Sequence, residues 1–169
     1  LYQFFRHQVQ HGFHAHGLAD NATIDYVSDM LTRFAQTQAL NAVRDANGRP
    51  IEYIVDLLTR WQEIQVEERS WSRERLIARY LGEYTLFMSG LFRERLRRRG
   101  ELEYYRAHGA TGFWRSADYE ANPVHKRTYR RLYRDFGPIS DALDHLRRVQ
   151  FPLPQAGSSD ALLSAYWRV

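Results

Sequence analysis

Apolar positions recur at three- and four-residue spacing along nearly the whole chain, and no run alternates with period two for long enough to predict a strand. With about 100° per residue on a helical wheel, Tyr2, Phe5, Val9, Phe13 and His16 share one face of a first helix over 2–16, which Gly17 can stop. A second helix follows Asn21 or Thr23 and carries Ile24, Val27, Met30, Leu31 and Phe34. Asn47-Gly48-Arg49-Pro50 predicts a turn, and Pro50 suits the first position of a third helix bearing Ile51, Ile54, Val55, Leu58 and Trp61. Ser70 or Ser72 can cap a fourth, whose broad apolar face holds Leu76, Ile77, Tyr80, Leu81, Tyr84, Phe87, Met88 and Leu91, with Gly90 as a point to bend or end. A fifth helix over about 101–121 stops at Asn122-Pro123, because the residue before proline resists the helical region. A sixth runs over about 124–135 to a stop at Phe136-Gly137-Pro138, and a seventh over about 139–149. The pattern predicts an all-α, single-domain bundle of seven to eight helices over 1–150. An extended linker and a C-terminal helix follow over 151–169. Both ends read as cut: the helical pattern is already running at Leu1, and Ala161 to Val169 resemble a helix stopped in mid-course.

Composition narrows the class. A 169-residue chain that is 44% apolar and 14% aromatic can bury one independent core and is not globally disordered. No stretch approaches the roughly 20 apolar residues of a membrane span, no signal peptide stands at the start, and there is no cysteine. Disulfides, thiolate metal sites and cysteine nucleophiles are excluded, and a cytoplasmic location with no membrane contact is the expectation. The net charge of +4 is uneven: residues 1–59 hold four arginines against six acids, whereas 60–150 hold 19 basic residues against 13 acids. Only Lys126 among the 24 basic residues is a lysine. Arginine's planar fork suits carboxylate and phosphate, although a GC-rich genome would also favour it.

The stretch Tyr80-Leu81-Gly82-Glu83-Tyr84-Thr85-Leu86-Phe87-Met88-Ser89-Gly90-Leu91-Phe92 is the most distinctive in the chain. With Tyr104-Tyr105, Gly109, Gly112 and the opening Leu1-Tyr2-Gln3-Phe4-Phe5, it resembles a family of uncharacterised all-helical bacterial proteins over about 1–150. Glu83 stands where that family has aspartate, and Gly112-Phe113 where it has alanine before an aromatic. The resemblance implies a bacterial helical fold and carries no activity.

Three constellations bear chemistry. His7, His11 and His14 lie within about 60° of one another on the first helix, but opposite its apolar face and without a carboxylate acceptor for their second ring nitrogens. A solvated polar face is the reading, and no metal site is expected. No Glu-x-x-His pair, His-Glu-x-x-His, phosphate loop, dinucleotide loop or nucleophile elbow is present. That weighs against the common enzyme classes, though a triad assembled from distant residues leaves no such trace.

On the fifth helix Leu102, Tyr105, His108, Gly109, Gly112, Phe113, Ser116 and Tyr119 share a face. Two internal glycines cost about 1 kcal/mol each against alanine, so either another helix or a flat ligand comes close. Glu83, at the margin of the fourth helix's apolar face, is expected half-buried and in need of Tyr105, His108 or an arginine as partner. Glu83, Tyr84, Tyr105, His108 and Tyr119 then form either a buried packing network or a ligand pocket, with haem on His108 as the cofactor of that second reading.

The third constellation is cationic. Arg93, Arg95, Arg97, Arg98 and Arg99 crowd a helix end, where the dipole favours positive charge. On the sixth helix Lys126, Arg127, Arg130, Arg131 and Arg134 occupy about 140° of arc, opposite Tyr129, Leu132, Tyr133 and Phe136. Either this is a solvated face paired with acids such as Glu120 and Asp135, or it is a stripe able to follow phosphates. The sequence is thus read as a non-enzymatic interaction or regulatory module. Arg97 to Arg99 and the Lys126–Arg134 stripe are its expected contacts with an acidic protein or a nucleic acid. The alternatives are the small-ligand or haem protein without which no cofactor is expected, and a structural subunit, including a homo-oligomer.

Overall fold

The computed structural model describes residues 1–35, 54, 58, 59, 62 and 71–150. Most of the expected third helix, with the turn before it, and the whole of 151–169 lie outside the described residues. Among those described there are seven helices and no strand: α1 (Tyr2–Ala15), α2 (Asn21–Ala35), α3 (Trp71–Leu91), α4 (Arg93–Arg98), α5 (Leu102–Tyr119), α6 (Pro123–Arg134) and α7 (Phe136–Gln150). The chain is an all-α multi-helix bundle. No described helix is long and apolar enough to cross a membrane.

Local chemistry sets the helix ends. Past α1 the backbone N–H of Leu18 bonds the Phe13 carbonyl and that of Gly17 the His14 carbonyl, at 2.9 and 3.1 Å. Gly17 takes the positive φ of 73° this C-cap requires. The same pair of bonds closes α4 at Gly100. Asp20, rather than Asn21 or Thr23, caps α2: its carboxylate accepts from the Thr23 N–H at 2.9 Å and the Thr23 hydroxyl at 2.6 Å. The Asn122 side chain accepts from the Val124 and His125 amides, with Pro123 in the first helical position of α6.

One expected boundary moves. Phe136-Gly137-Pro138 does not stop a helix but forms the first turn of α7, where amides have no intrahelical acceptor and proline's missing N–H costs nothing. The break is Asp135 alone, whose carbonyl accepts from the Ile139 amide at 2.9 Å. α3 ends at Leu91, one residue past the Gly90 expected to bend or end it, with Phe92 between it and the short α4.

One shared core joins all seven helices. Every apolar position expected to face inward on α2 does so: Ile24, Val27, Met30, Leu31 and Phe34 are at most 2% exposed. Ile54 is buried and Leu58 packs against the core. α3 is the central element, buried on nearly all sides from Ile77 to Gly90. A helix enclosed all round has no single apolar face to read, and Leu76, assigned inward from the wheel, is 55% exposed near its start. The glycines of α5 face α3. A Cβ on Gly112 would stand 2.7 Å from the Gly82 backbone nitrogen and 2.8 Å from the Ala78 carbonyl. The close neighbour that the sequence demanded there is another helix's backbone.

Candidate functional site

Glu83 sits in the middle of α3 at 2% exposure, deeper than its marginal place on the wheel suggests. Its Oε1 accepts from the Tyr26 hydroxyl at 2.5 Å, Arg33 Nη2 at 2.7 Å and Arg79 Nε at 2.9 Å. Its Oε2 accepts from Arg33 Nη1 at 3.0 Å, so Arg33 of α2 grips the carboxylate with both prongs. Arg33 also bonds Asp29, one turn earlier, and the Arg79 guanidinium lies 5.9 Å from the Tyr26 ring centre. Burial by itself would raise the Glu83 pKa, but the bonds and charges of Arg33 and Arg79 outweigh it and hold the carboxyl below its ordinary value. Burial and the neighbouring carboxylate push Tyr26 well above the usual phenol range and Tyr80 to about 12. The carboxylate is therefore ionised and clamped, with its acceptor capacity committed to three helical donors.

An arginine was among the partners expected for Glu83. Tyr26 and Arg33 went unread, although seven residues apart they share one face of α2. The other residues of the expected cluster have neighbours of their own. Tyr84 stacks on Tyr80 with ring centres 5.7 Å apart and lies 6.5 Å from buried Tyr105. His108 rests edge-on against Tyr104 at 4.3 Å, and partial burial lowers its pKa. Tyr119 donates to Glu74 at 2.7 Å, where burial and that carboxylate raise it to about 12. Only Tyr84 and Tyr105 of the five are brought ring to ring.

A second ion cluster ties α4 to α7. Arg93, which the sequence groups with the cations crowding a helix end, is 6% exposed. Its Nε donates to the Ser89 carbonyl at 3.1 Å and its Nη2 to the Ser140 hydroxyl at 3.0 Å, while it pairs with Asp141 at 2.7 Å. Asp144, also buried, takes Arg148 at 2.5 Å. Arg97 pairs with Glu94 at 3.1 Å, and Arg98 and Arg99 are exposed where α4 ends.

The sixth helix is different. α6 contains no acidic residue. Tyr129, Leu132 and Phe136 of the expected inner face are buried, but Tyr133 is 45% exposed. Arg131 pairs with Asp20 at 2.7 Å and Arg134 with Asp135 at 2.8 Å. Arg127 and Arg130 are exposed and Lys126 half-exposed, and none of the three has an ion-pair partner among the described residues. Their position is informative. Arg131 and Arg134 occupy the last turn, where the helix dipole rewards a cation, whereas Lys126 and Arg127 stand near the positive N-terminal end. Helix stability thus does not explain Lys126 and Arg127.

His7, His11 and His14 lie exposed along α1, and among the described residues no group of three or more histidines and carboxylates could hold a metal ion. Compared with known protein families, curated proteins and solved structures, the chain matches none.

Proposed function

We propose that the protein is a helical docking module that holds an anionic partner against the outer face of α6 through Lys126, Arg127 and Arg130. One observation carries this reading: these three cations are open to solvent and unpaired among the described residues, on a helix without an acid. Most other arginines of the folded body close an ion pair within it, although Arg98, Arg99 and Arg115 are likewise exposed and without one among the described residues. The opposite face of α6 is anchored by Tyr129 and Leu132, so the cations are presented on a rigid support. Arg97, Arg98 and Arg99 belong to another helix, at the end of α4, where the dipole favours cations.

Retention on a heparin column tests the reading. Reversing Lys126, Arg127 and Arg130 to glutamate is expected to bring elution to a much lower salt concentration. Reversing Arg97, Arg98 and Arg99 changes the net charge equally and is expected to shift it far less. Equal shifts from the two triple variants would show that net charge alone is felt and would end the proposal.

A further inference from the structure

The make-up of the α6 face distinguishes between the classes of polyanion. A stable protein–protein interface has an apolar or aromatic centre with its charges at the rim. Here the arrangement is reversed: the centre is cationic, and the exposed large apolar side chains of α6 are Val124 near one end and Tyr133 near the other, 53% and 45% exposed. Nucleic-acid interfaces are more polar and far more positive than protein interfaces and need no apolar centre. Lys126 to Arg130 span about 6 Å of helix, the scale of the separation between neighbouring phosphates on one strand, and their long side chains reach to either side of it. The Asn122-capped start of α6 adds the positive end of its dipole beside Lys126 and Arg127. An anionic membrane is a poorer match, because the face offers few bulky aliphatics to bury.

Resting on the docking reading above, we infer that the partner is a nucleic acid, held by its phosphates across Lys126, Arg127 and Arg130 without base recognition. Three phosphate contacts fix the salt dependence. The logarithm of the binding constant falls with the logarithm of salt at a slope of about −2.7 for a duplex and about −2.1 for a single strand. Each cation removed takes about one unit off that slope.

Fluorescence anisotropy decides the matter, with a labelled 20-base-pair DNA duplex, one of its strands and a 20-residue oligoglutamate, each titrated between 50 and 200 mM KCl. The expected result is binding of duplex and strand with those slopes, and oligoglutamate at least tenfold weaker. A Lys126→Gln, Arg127→Gln, Arg130→Gln triple variant is expected to lose at least thirtyfold in affinity for the duplex. Oligoglutamate binding as tight as DNA, and lost in the same variant, would overturn the nucleic-acid assignment and leave the docking face standing. DNA binding untouched by the triple variant, or no probe bound by the folded protein, would overturn both.

Discussion

Arginine performs opposite tasks in two regions of this bundle. Around Glu83, Arg33 of α2 and Arg79 of α3 turn their charge inward onto a carboxylate that is 2% exposed, through which Arg33 fastens α2 to α3. On α6, Arg127 and Arg130 turn theirs outward and leave it unanswered among the described residues. The lesson is that a count of basic residues says little. What separates scaffold from surface is whether the fold supplies each cation with a carboxylate. Changes at Glu83 are therefore expected to cost stability and spare docking, and changes on α6 the reverse.

The largest effect is expected at the clamp. Glu83→Gln removes the negative charge shared by two guanidiniums. Breaking a fully buried pair costs about 3–5 kcal/mol. Arg33 and Arg79 reach solvent, at 32% and 39% side-chain exposure, so about 2–3 kcal/mol is expected after screening. In a chain of this size that lowers the melting temperature by roughly 4–12 °C, which differential scanning calorimetry would read, with heparin retention unchanged.

Next comes Gly112→Ala, which sets a methyl group against the α3 backbone at Gly82 and Ala78. Overpacking of this kind costs about 1–3 kcal/mol, and the helix propensity of alanine returns about 1 kcal/mol. A small fall in melting temperature is expected. No fall, or a rise, would show that α3 and α5 can part without penalty.

Acid probes the clamp more gently. The folded pKa values of Glu83 and Asp141 lie below their ordinary values. In each case burial pulls upward and the paired arginines prevail: Arg33 and Arg79 at Glu83, Arg93 and Arg106 at Asp141. The stability these carboxylates contribute is present above the unfolded carboxylate pKa of about 4 and is lost as pH falls through the lower folded values. Thermal melts are expected to hold steady from neutral pH to about 5 and then drop. Glu83→Gln should flatten that acid limb, and an unchanged limb would remove Glu83 from the account.

Much of this fold is legible in the sequence because short-range patterns dictate it. The α2 core positions follow from three-four spacing alone, and Gly17, Gly100 and Asn122-Pro123 mark ends through local backbone chemistry. The glycines of α5 announce a close neighbour through their helix cost, and α3 is that neighbour. Longer-range relations leave less trace. Glu83 meets Arg33 across 50 residues of chain, and Arg93 differs from the other cations of its run because α7 brings Ser140 and Asp141 to it. Tyr133, placed inward by the wheel with Tyr129, is exposed because α6 buries a narrower face, centred on Tyr129 and Leu132. On the docking face, the five-cation stripe was visible in the sequence. Which three remain open required the positions of Asp20 and Asp135.

The most direct test of the central claim joins both properties in one protein, the Lys126→Glu, Arg127→Glu, Arg130→Glu triple variant. Its melting temperature is expected to stay within about 6 °C of the wild type, since substitutions at exposed sites away from structural features are individually worth about half a kcal/mol or less. Its hold on heparin is expected to collapse. A melting temperature that fell as far as that of Glu83→Gln, with heparin retention intact, would mean that the α6 cations belong to the scaffold and that the two regions do the same work.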